Sequence, residues 1–428
     1  MKSIVISADA SGGGKTTVSL GIMKALKNRG YDVQAYKVGP DYIDPAFHKN
    51  VTGKDSRNLD IFLMGEDGVK ASYARGKGQV GVIEGVMGLY DGKGITSKYS
   101  TASVAKLLDL PVILVISPKA QSVTLCAEIK GIIDFENINI AGIILNNISQ
   151  SYFNLLKAAI EKHCNIKVFG YLPSDKSLEL KSRHLGLVQS TEVEDLGKKI
   201  EHCSQLLEKY VDIDEMLKIF KETDKFKDEF HMKSIGLRTA IAYDKAFSFY
   251  YKENLELLSE LGEVIYFSPI KDKKLPENID FLYLGGGYPE VFIDEISSNK
   301  SMLSSIRIAL DNGLSCYAEC GGLMYLTQSI DGKSTVGFLN GKSFMSTKLQ
   351  NFGYAQIEVN KLRLNCHEFH KSYVELTEDD SYKVTKENYD GTLKQWKCGY
   401  VKNNTLAAYP HVHFFSNLEF MSNIVNKK

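Results

Sequence analysis

The chain has no excess of charge, no paired cysteine motif and no long apolar run, and each absence removes a class of function. Lys plus Arg and Asp plus Glu each number 52 in 428 residues, so the formal net charge is zero. That leaves no basic footprint for a nucleic-acid partner. The seven cysteines are scattered, odd in number and without a C-x-x-C pair. This excludes a disulfide framework and points to free thiols in a reducing cytoplasm. No uncharged apolar stretch approaches the roughly 18 residues of a membrane span. The first apolar run is also too short for a signal peptide. The expectation is a cytoplasmic protein with no nucleic-acid or membrane partner, long enough for about two or three domains.

What is present begins at the N-terminus. The run Ile4-Val-Ile6 reads as a buried strand, Ala10-Ser-Gly-Gly-Gly-Lys-Thr-Thr17 follows, and Val18, Leu20, Ile22, Met23 and Leu26 then fall at helical spacing. Strand, glycine loop, Lys-Thr and helix form the layout of a phosphate-binding loop. Ser11, Gly12, Gly13 and Gly14 bring backbone N–H groups to a polyphosphate, and the helix start adds its dipole. Lys15 reaches the β- and γ-phosphates, Thr16 offers a hydroxyl to Mg²⁺, and Thr17 completes the ATP-binding set. The spacing departs from G-x-x-x-x-G-K-[ST], because Asp9 stands where that pattern has glycine.

Strand-like runs recur at 33–38, 80–83, 111–116, 140–145 and 166–169, with helical patterns between them. Such alternation predicts a mostly parallel sheet flanked by helices, with ligands at the carboxyl ends of the strands. Asp41 and Tyr42 follow the second strand, and Glu84 and Asp91 follow the third. Glu84 and Asp41 suit Mg²⁺, directly or through water. Tyr42 and Asp91 sit where a substrate laid against the γ-phosphate arrives. Asp44 reads as a turn former. Asn146 suits either an adenine edge or the cap of the next turn, and His184 reads as a packed or surface histidine. A helix is predicted over 192–210. The charge-dense stretch 218–233 then reads as a solvated linker with a domain boundary near 221–233.

The second half opens a new strand series from residue 235. Gly285-Gly-Gly287 follows a strand and brings backbone N–H groups close to something: an oxyanion is one reading, a tight turn the other. Cys320 lies in Ala318-Glu-Cys-Gly-Gly322, between a short strand and a helix, the layout of a nucleophile elbow. The helix start is expected to lower its pKa. Cys316, within the strand, reads as packing. Two clusters could supply a base: His367-Glu-Phe-His370, and the strand-end pair His411 and His413. Neither reads as a zinc site, since H-E-x-x-H is absent.

A phosphate loop with Mg²⁺ carboxylates joined to a Cys/His domain resembles a glutamine-dependent ligase, and over its whole length the chain is similar to the cobyrinate a,c-diamide synthases of the cobalamin pathway. The resemblance rests on the phosphate loop, Lys37-Val-Gly-Pro-Asp-Tyr-Ile-Asp-Pro45, Glu84-Gly-Val-Met-Gly-Leu-Tyr-Asp-Gly92, Arg183-His-Leu-Gly-Leu187, Gly285-Gly-Gly-Tyr-Pro-Glu290, Ala318-Glu-Cys-Gly-Gly322, His367-Glu-Phe-His370 and Tyr409-Pro-His-Val-His-Phe414. It implies an α/β fold: a dethiobiotin synthetase-like P-loop domain over 1–225 and a class I glutamine amidotransferase-like domain over 233–428. It also implies ATP and Mg²⁺ as cofactors and cobyrinic acid and L-glutamine as substrates, and it allows a homodimer. Glutamine is hydrolysed at Cys320 with His411 as base and His413 as the alternative, and Gly286 and Gly287 serve the oxyanion. Ammonia then displaces phosphate from a phosphorylated side-chain carboxylate at the a and c positions. His367 and His370 match a motif linked to macrocycle or interdomain contact.

Departures accompany the resemblance. Ala318 stands where many amidotransferases have glycine, and Asn365-Cys366 precedes His367 where a glycine is expected. No glutamate follows His411 as the third triad member, so a Cys/His dyad is expected. The same chemistry on hydrogenobyrinate or nickel-sirohydrochlorin, or cobyric acid synthesis, are neighbouring readings. A partition-type P-loop switch ATPase is the non-enzyme reading, and it leaves Cys320 and His411 idle.

Overall fold

A computed structural model describes residues 1–178, 182–183, 186–187 and 195–426. His184 lies outside the described residues. By backbone proximity the chain divides into two units, Met1–Ile61 with Val69–Asp228, and Phe62–Gly68 with Glu229–Lys428. Among the described residues no helix is long and apolar enough to cross a membrane.

The first unit is built on seven parallel strands: β1 (Lys2–Ala8), β2 (Val33–Val38), β3 (Arg57–Leu59), β4 (Val80–Glu84), β5 (Val112–Ile116), β6 (Ile140–Ile148) and β7 (Val168–Pro173). Their order across the sheet is β3-β2-β4-β1-β5-β6-β7. Apolar residues face both ways, as in Val112–Ile116, where every position is buried, because helices cover both faces. The ordering sets the carboxyl ends of β2, β4, β1, β5 and β6 side by side along one edge.

Two elements complete this unit. Helix α1 (Lys15–Asn28) packs its Val18, Ile22 and Leu26 into the core against Leu207. Leu207 belongs to α2 (Leu196–Tyr210), whose buried residues Leu196, Ile200, Cys203 and Leu207 recur at helical spacing. The stretch expected to be a solvated linker is partly structured. Lys221–Glu222 pairs antiparallel with the start of β1, the Asp228 carboxylate takes the Arg75 guanidinium at 2.6 Å, and the Phe226 ring meets Tyr73 edge-on. Strand pairing and one aromatic outweigh the charge density there.

The second unit has a parallel set of five strands, β8 (Leu237–Ala242), β9 (Gly262–Phe267), β10 (Phe281–Leu284), β11 (Ser315–Glu319) and β16 (Thr405–Ala408), ordered β9-β8-β10-β11-β16. An antiparallel extension follows: β12 (Gly341–Val359), β13 (Leu362–Leu376), β14 (Asp380–Glu387) and β15 (Leu393–Lys402). The short strand β17 (His411–Val412) pairs with β13, setting His411 opposite His367.

The seam between α1 and α2 yields a prediction. Leu207 is 0 % exposed, so Leu207→Ala is expected to destabilise the first unit by about 2–5 kcal/mol. Leu206→Ala, at a partly buried neighbour, is expected to cost clearly less. Urea denaturation of the full chain measures both.

Candidate functional site

The phosphate loop joins the end of β1 to α1. Gly14 sits at φ 87°, in the left-handed region, as the residue that starts the helix. A side chain there would also collide with Asn146, whose Nδ2 lies 2.0 Å from where the Cβ would be. Asn146 Nδ2 donates to the Gly13 carbonyl at 3.2 Å and to Ser117 Oγ at 3.0 Å. Ser117 Oγ donates to the same carbonyl at 2.9 Å. Asn146 therefore braces the loop. The turn after β6 is capped instead by Ser149, whose side chain accepts from Tyr152 N.

Ser11 and Gly12 are exposed, while Lys15 is buried and Thr16 and Thr17 are half-buried. No carboxylate lies within ion-pair distance of Lys15 among the described residues. Burial lowers its pKa, Lys37 adds to the lowering, and Glu84, Asp44 and Asp41 oppose it. A buried ammonium in this setting is a receptor for an anion.

Beside it lies a cluster of buried charges that sequence reasoning resolved only in part. Glu84 is 0 % exposed. Its Oε1 accepts from Thr16 Oγ1 at 2.6 Å and Lys37 Nζ at 3.1 Å. Its Oε2 meets His48 Nε2 at 2.7 Å, and His48 Nδ1 meets Ser56 Oγ at 2.9 Å. Lys37 also reaches Asp44 at 2.6 Å and the Gly85 carbonyl at 2.8 Å. Burial pushes the Glu84 pKa up, but Lys37, His48 and Thr16 together bring it below the ordinary range. Burial pushes Lys37 down, and Asp44, Glu84 and Asp41 more than reverse that. Asp44 is raised, by burial first and then by Asp41. Asp44 is thus the partner of a buried lysine, and its reading as a turn former is corrected. Lys37 and His48 were missed as site residues. The one signal for Lys37 was a lysine inside a strand whose every position is buried.

The remaining first-unit candidates lie on the same edge. Asp41 Oδ1 accepts from Ile43 N at 2.7 Å and Asp44 N at 3.1 Å, starting the helix Ile43–Thr52. Tyr42 is half-buried beside it, and the exposed Asp91 accepts from Gly88 N at 2.8 Å. Among the described residues no three His, Cys, Asp or Glu side chains form a metal cage. Mg²⁺ needs none here, since it binds phosphate oxygens and waters with one or two protein ligands. Thr16 Oγ1 and Glu84 Oε1, already in contact, fit that role.

In the second unit β11 ends at Glu319, and Cys320 follows at φ 49° and ψ −101°, a strained turn into the helix Gly321–Leu326. Cys320 N donates to the Ala408 carbonyl at 2.8 Å, tying the elbow to the end of β16, three residues before His411. Burial raises the Cys320 pKa, and Glu290 and Glu368 add to it. The expected lowering by the helix is absent, because a six-residue helix is outweighed by the loss of water around the thiol. Cys316 is buried packing, with its thiol likewise raised by burial.

The glycine turn lies alongside this elbow. A Cβ on Gly321 would stand 3.1 Å from Gly287 N, and a Cβ on Gly286 would stand 2.5 Å from His411 Cε1. The turn therefore runs between the residue after the cysteine and the histidine ring. His411 stacks on His367 with ring centres 5.0 Å apart, and His367 Nε2 meets Tyr251 OH at 2.8 Å. Burial, and then His411, lower the His367 pKa well below the usual range. His413 has both nitrogens engaged, Nδ1 accepting from Phe415 N at 3.2 Å and Nε2 facing Glu253 at 3.4 Å. His370 Nε2 faces Glu368 at 2.9 Å, its Nδ1 faces the Ser372 carbonyl at 2.8 Å, and its ring stacks on Tyr409. His367 and His370 are interior hydrogen-bonding groups of this unit.

Two family models match the chain. Residues 4–188 match the CobQ/CobB/MinD/ParA nucleotide binding domain, and residues 238–419 match the CobB/CobQ-like glutamine amidotransferase domain. A cobyrinate a,c-diamide synthase of Clostridium tetani is 63 % identical, with 100 % of each chain covered. One of Clostridium acetobutylicum is 63 % identical over 99 % of this chain and 100 % of its own. One of Listeria innocua is 44 % identical over 97 % of each chain. The chain belongs to the cobyrinate a,c-diamide synthase family. Within that family the chain is a carbon–nitrogen ligase with a nucleotide-binding domain and a glutamine amidotransferase domain.

The buried charge cluster carries its own prediction. Lys37→Met leaves Glu84 and Asp44 buried without their cation and is expected to cost about 3–5 kcal/mol. Lys24→Met, which breaks the half-exposed pair with Glu201, is expected to cost under about 1 kcal/mol. Chemical denaturation of the full chain separates the two.

Proposed function

We propose that this protein amidates the a and c side-chain carboxylates of cobyrinic acid, using ATP and glutamine, through an acyl phosphate. The observation that carries the first half is Lys15, a buried cation without a carboxylate in ion-pair distance among the described residues, beside a loop of backbone N–H groups. Residues 1–225 form the synthetase domain and 233–428 the glutaminase domain. A carboxylate is a poor electrophile. Transfer of the γ-phosphoryl group to its oxygen, with ADP leaving, creates a leaving group that ammonia displaces as phosphate. Ser11 to Thr17 hold the polyphosphate, and Lys15 offsets the charge that develops in the transfer. Thr16 and Glu84, with Asp41 close by, would hold Mg²⁺, which would supply charge neutralisation to the phosphates. Tyr42 and Asp91 face the acceptor.

Glutamine is opened at Cys320. Burial disfavours the Cys320 thiolate, so a base is required. His411 takes the proton as sulfur bonds to the amide carbon, and passes it to the departing ammonia. Water then releases glutamate from the thioester. The engaged nitrogens of His413 favour His411 as that base. Backbone N–H groups of the Gly286–Gly287 turn lie where the oxyanion forms. Free ammonia is scarce at neutral pH because it is mostly protonated, and a water-poor site supplies the neutral nucleophile.

The test is mass spectrometry of cobyrinic acid incubated with enzyme, ATP, Mg²⁺ and glutamine. Two successive exchanges of OH for NH₂ are expected. Amidation of hydrogenobyrinate or a nickel tetrapyrrole alone would move the substrate, and no amidation of any such acceptor would overturn the reading. Cys320→Ser is expected to abolish glutamine use while keeping activity with ammonium salts. Lys15→Ala is expected to lower both by about a hundredfold or more.

A further inference from the structure

A histidine that takes a proton from a nucleophile works best when a carboxylate fixes its ring and steadies the imidazolium. Val412, His413 and Phe414 follow His411, so the chain offers no such carboxylate on that side. The fold supplies one from another strand. Glu319, the residue before Cys320, is 1 % exposed. Its Oε2 lies 3.8 Å from His411 Nδ1.

The carboxylate is itself held in place. Oε1 accepts from Tyr317 OH at 2.9 Å and Val412 N at 3.0 Å, and Oε2 accepts from Tyr283 OH at 3.0 Å. These three donors are neutral. No lysine or arginine lies within ion-pair distance of Glu319 among the described residues, so His411 is the group there that can become a cation. The other ring against His411 is His367, stacked and held to Tyr251.

We propose that Glu319 is the positioning residue for His411, and that glutamine hydrolysis runs on a Cys320–His411–Glu319 set in which the carboxylate precedes the nucleophile in the chain. Two other buried histidine–carboxylate pairs lie in this unit, His370 with Glu368 and His413 with Glu253. Each of those histidines spends its second nitrogen on a nearby backbone group. Only Glu319 is joined covalently to the elbow, and its strand pairs with the strand leading to His411, Glu319 opposite Ala408. Any shift of the nucleophile carries the carboxylate with it. The 3.8 Å separation is longer than a hydrogen bond, and the proposed role requires it to shorten as His411 takes the proton.

This inference rests on the glutaminase reading, so the experiment follows both half-reactions in the full chain. Glutamine-to-glutamate turnover is measured with ATP, Mg²⁺ and cobyrinic acid, and amidation is measured separately with ammonium chloride. Glu319→Gln is expected to lower kcat for glutamine by about 10²–10⁴-fold. KM for glutamine stays within about threefold, and ammonia-driven amidation is unchanged. Glu319→Asp, which keeps the charge, is expected to retain more activity than Glu319→Gln. A parental kcat in Glu319→Gln, or a raised KM with unchanged kcat, overturns the proposal. If thermal melting shows that Glu319→Gln does not fold, Glu319→Asp decides. A kcat at least about tenfold lower at unchanged KM supports the role, and a parental kcat overturns it. If the parent enzyme hydrolyses no glutamine, the glutaminase reading falls and this inference with it. Glutamine turnover lost only in the variant concerns Glu319 alone.

Discussion

A carboxylate that water cannot reach must be surrounded by donors, and Glu84 imposes that demand on the first unit. It ends a strand at the centre of the sheet, between β2 and β1. Lys37 answers from β2, Thr16 from the start of α1 and His48 from the helix after β2. Each of those elements is thereby fixed in rotation as well as position. The phosphate loop inherits the result, because Thr16 and Lys15 are neighbours at the same helix start. Ser117 and Asn146 complete the bracing from the ends of β5 and β6 by sharing the Gly13 carbonyl. Removing a partner from such a cluster costs more than the pair contributes, since the remaining charge stays buried.

The second unit solves a related problem with aromatic hydroxyls and rings. Tyr283, Tyr317 and Tyr251 point their OH groups inward at Glu319 and His367, each bringing apolar bulk with one donor at its tip. The layer is dry enough to raise the Cys320 thiol and depress His367. Glycine then becomes a spatial requirement. Positions 286 and 321 lie against the His411 ring and the Gly287 backbone, and any side chain there would open the packing that keeps water out.

What the sequence made legible was whatever repeats a local rule. The buried strand expected over 111–116 is found at Val112–Ile116, because continuous apolar runs mark strands covered on both faces. The long strands over 341–402 carried no such mark. Many of their positions are exposed or half-buried, and they cover one another by antiparallel pairing. The charge-dense segment before residue 229 misled for the opposite reason. Composition described its solvent side and missed the two residues that add an edge to β1. At the candidate sites, sequence reasoning reached residues that follow a glycine loop or a strand end. Lys37, His48 and Glu319 lay beyond it, because each is defined by a partner far away in sequence.

Glu84 and Glu319 each face a histidine, but Glu84 also faces a lysine, and that difference suits the chemistry proposed for each unit. The charge of Lys37 is held in place by its own surroundings. A fixed cation suits a site that must present one geometry to a polyphosphate and release it unchanged. Glu319 faces His411, an imidazole able to accept a proton, with no lysine or arginine in ion-pair distance among the described residues. A carboxylate opposite such a group stabilises only one of its two states, and so favours the moment at which the proton arrives. A lysine for His411 would hold its proton too tightly to accept one from a thiol. On the proposed mechanism, the lysine beside Glu84, and the lack of any lysine or arginine beside Glu319 among the described residues, separate phosphoryl transfer from proton transfer.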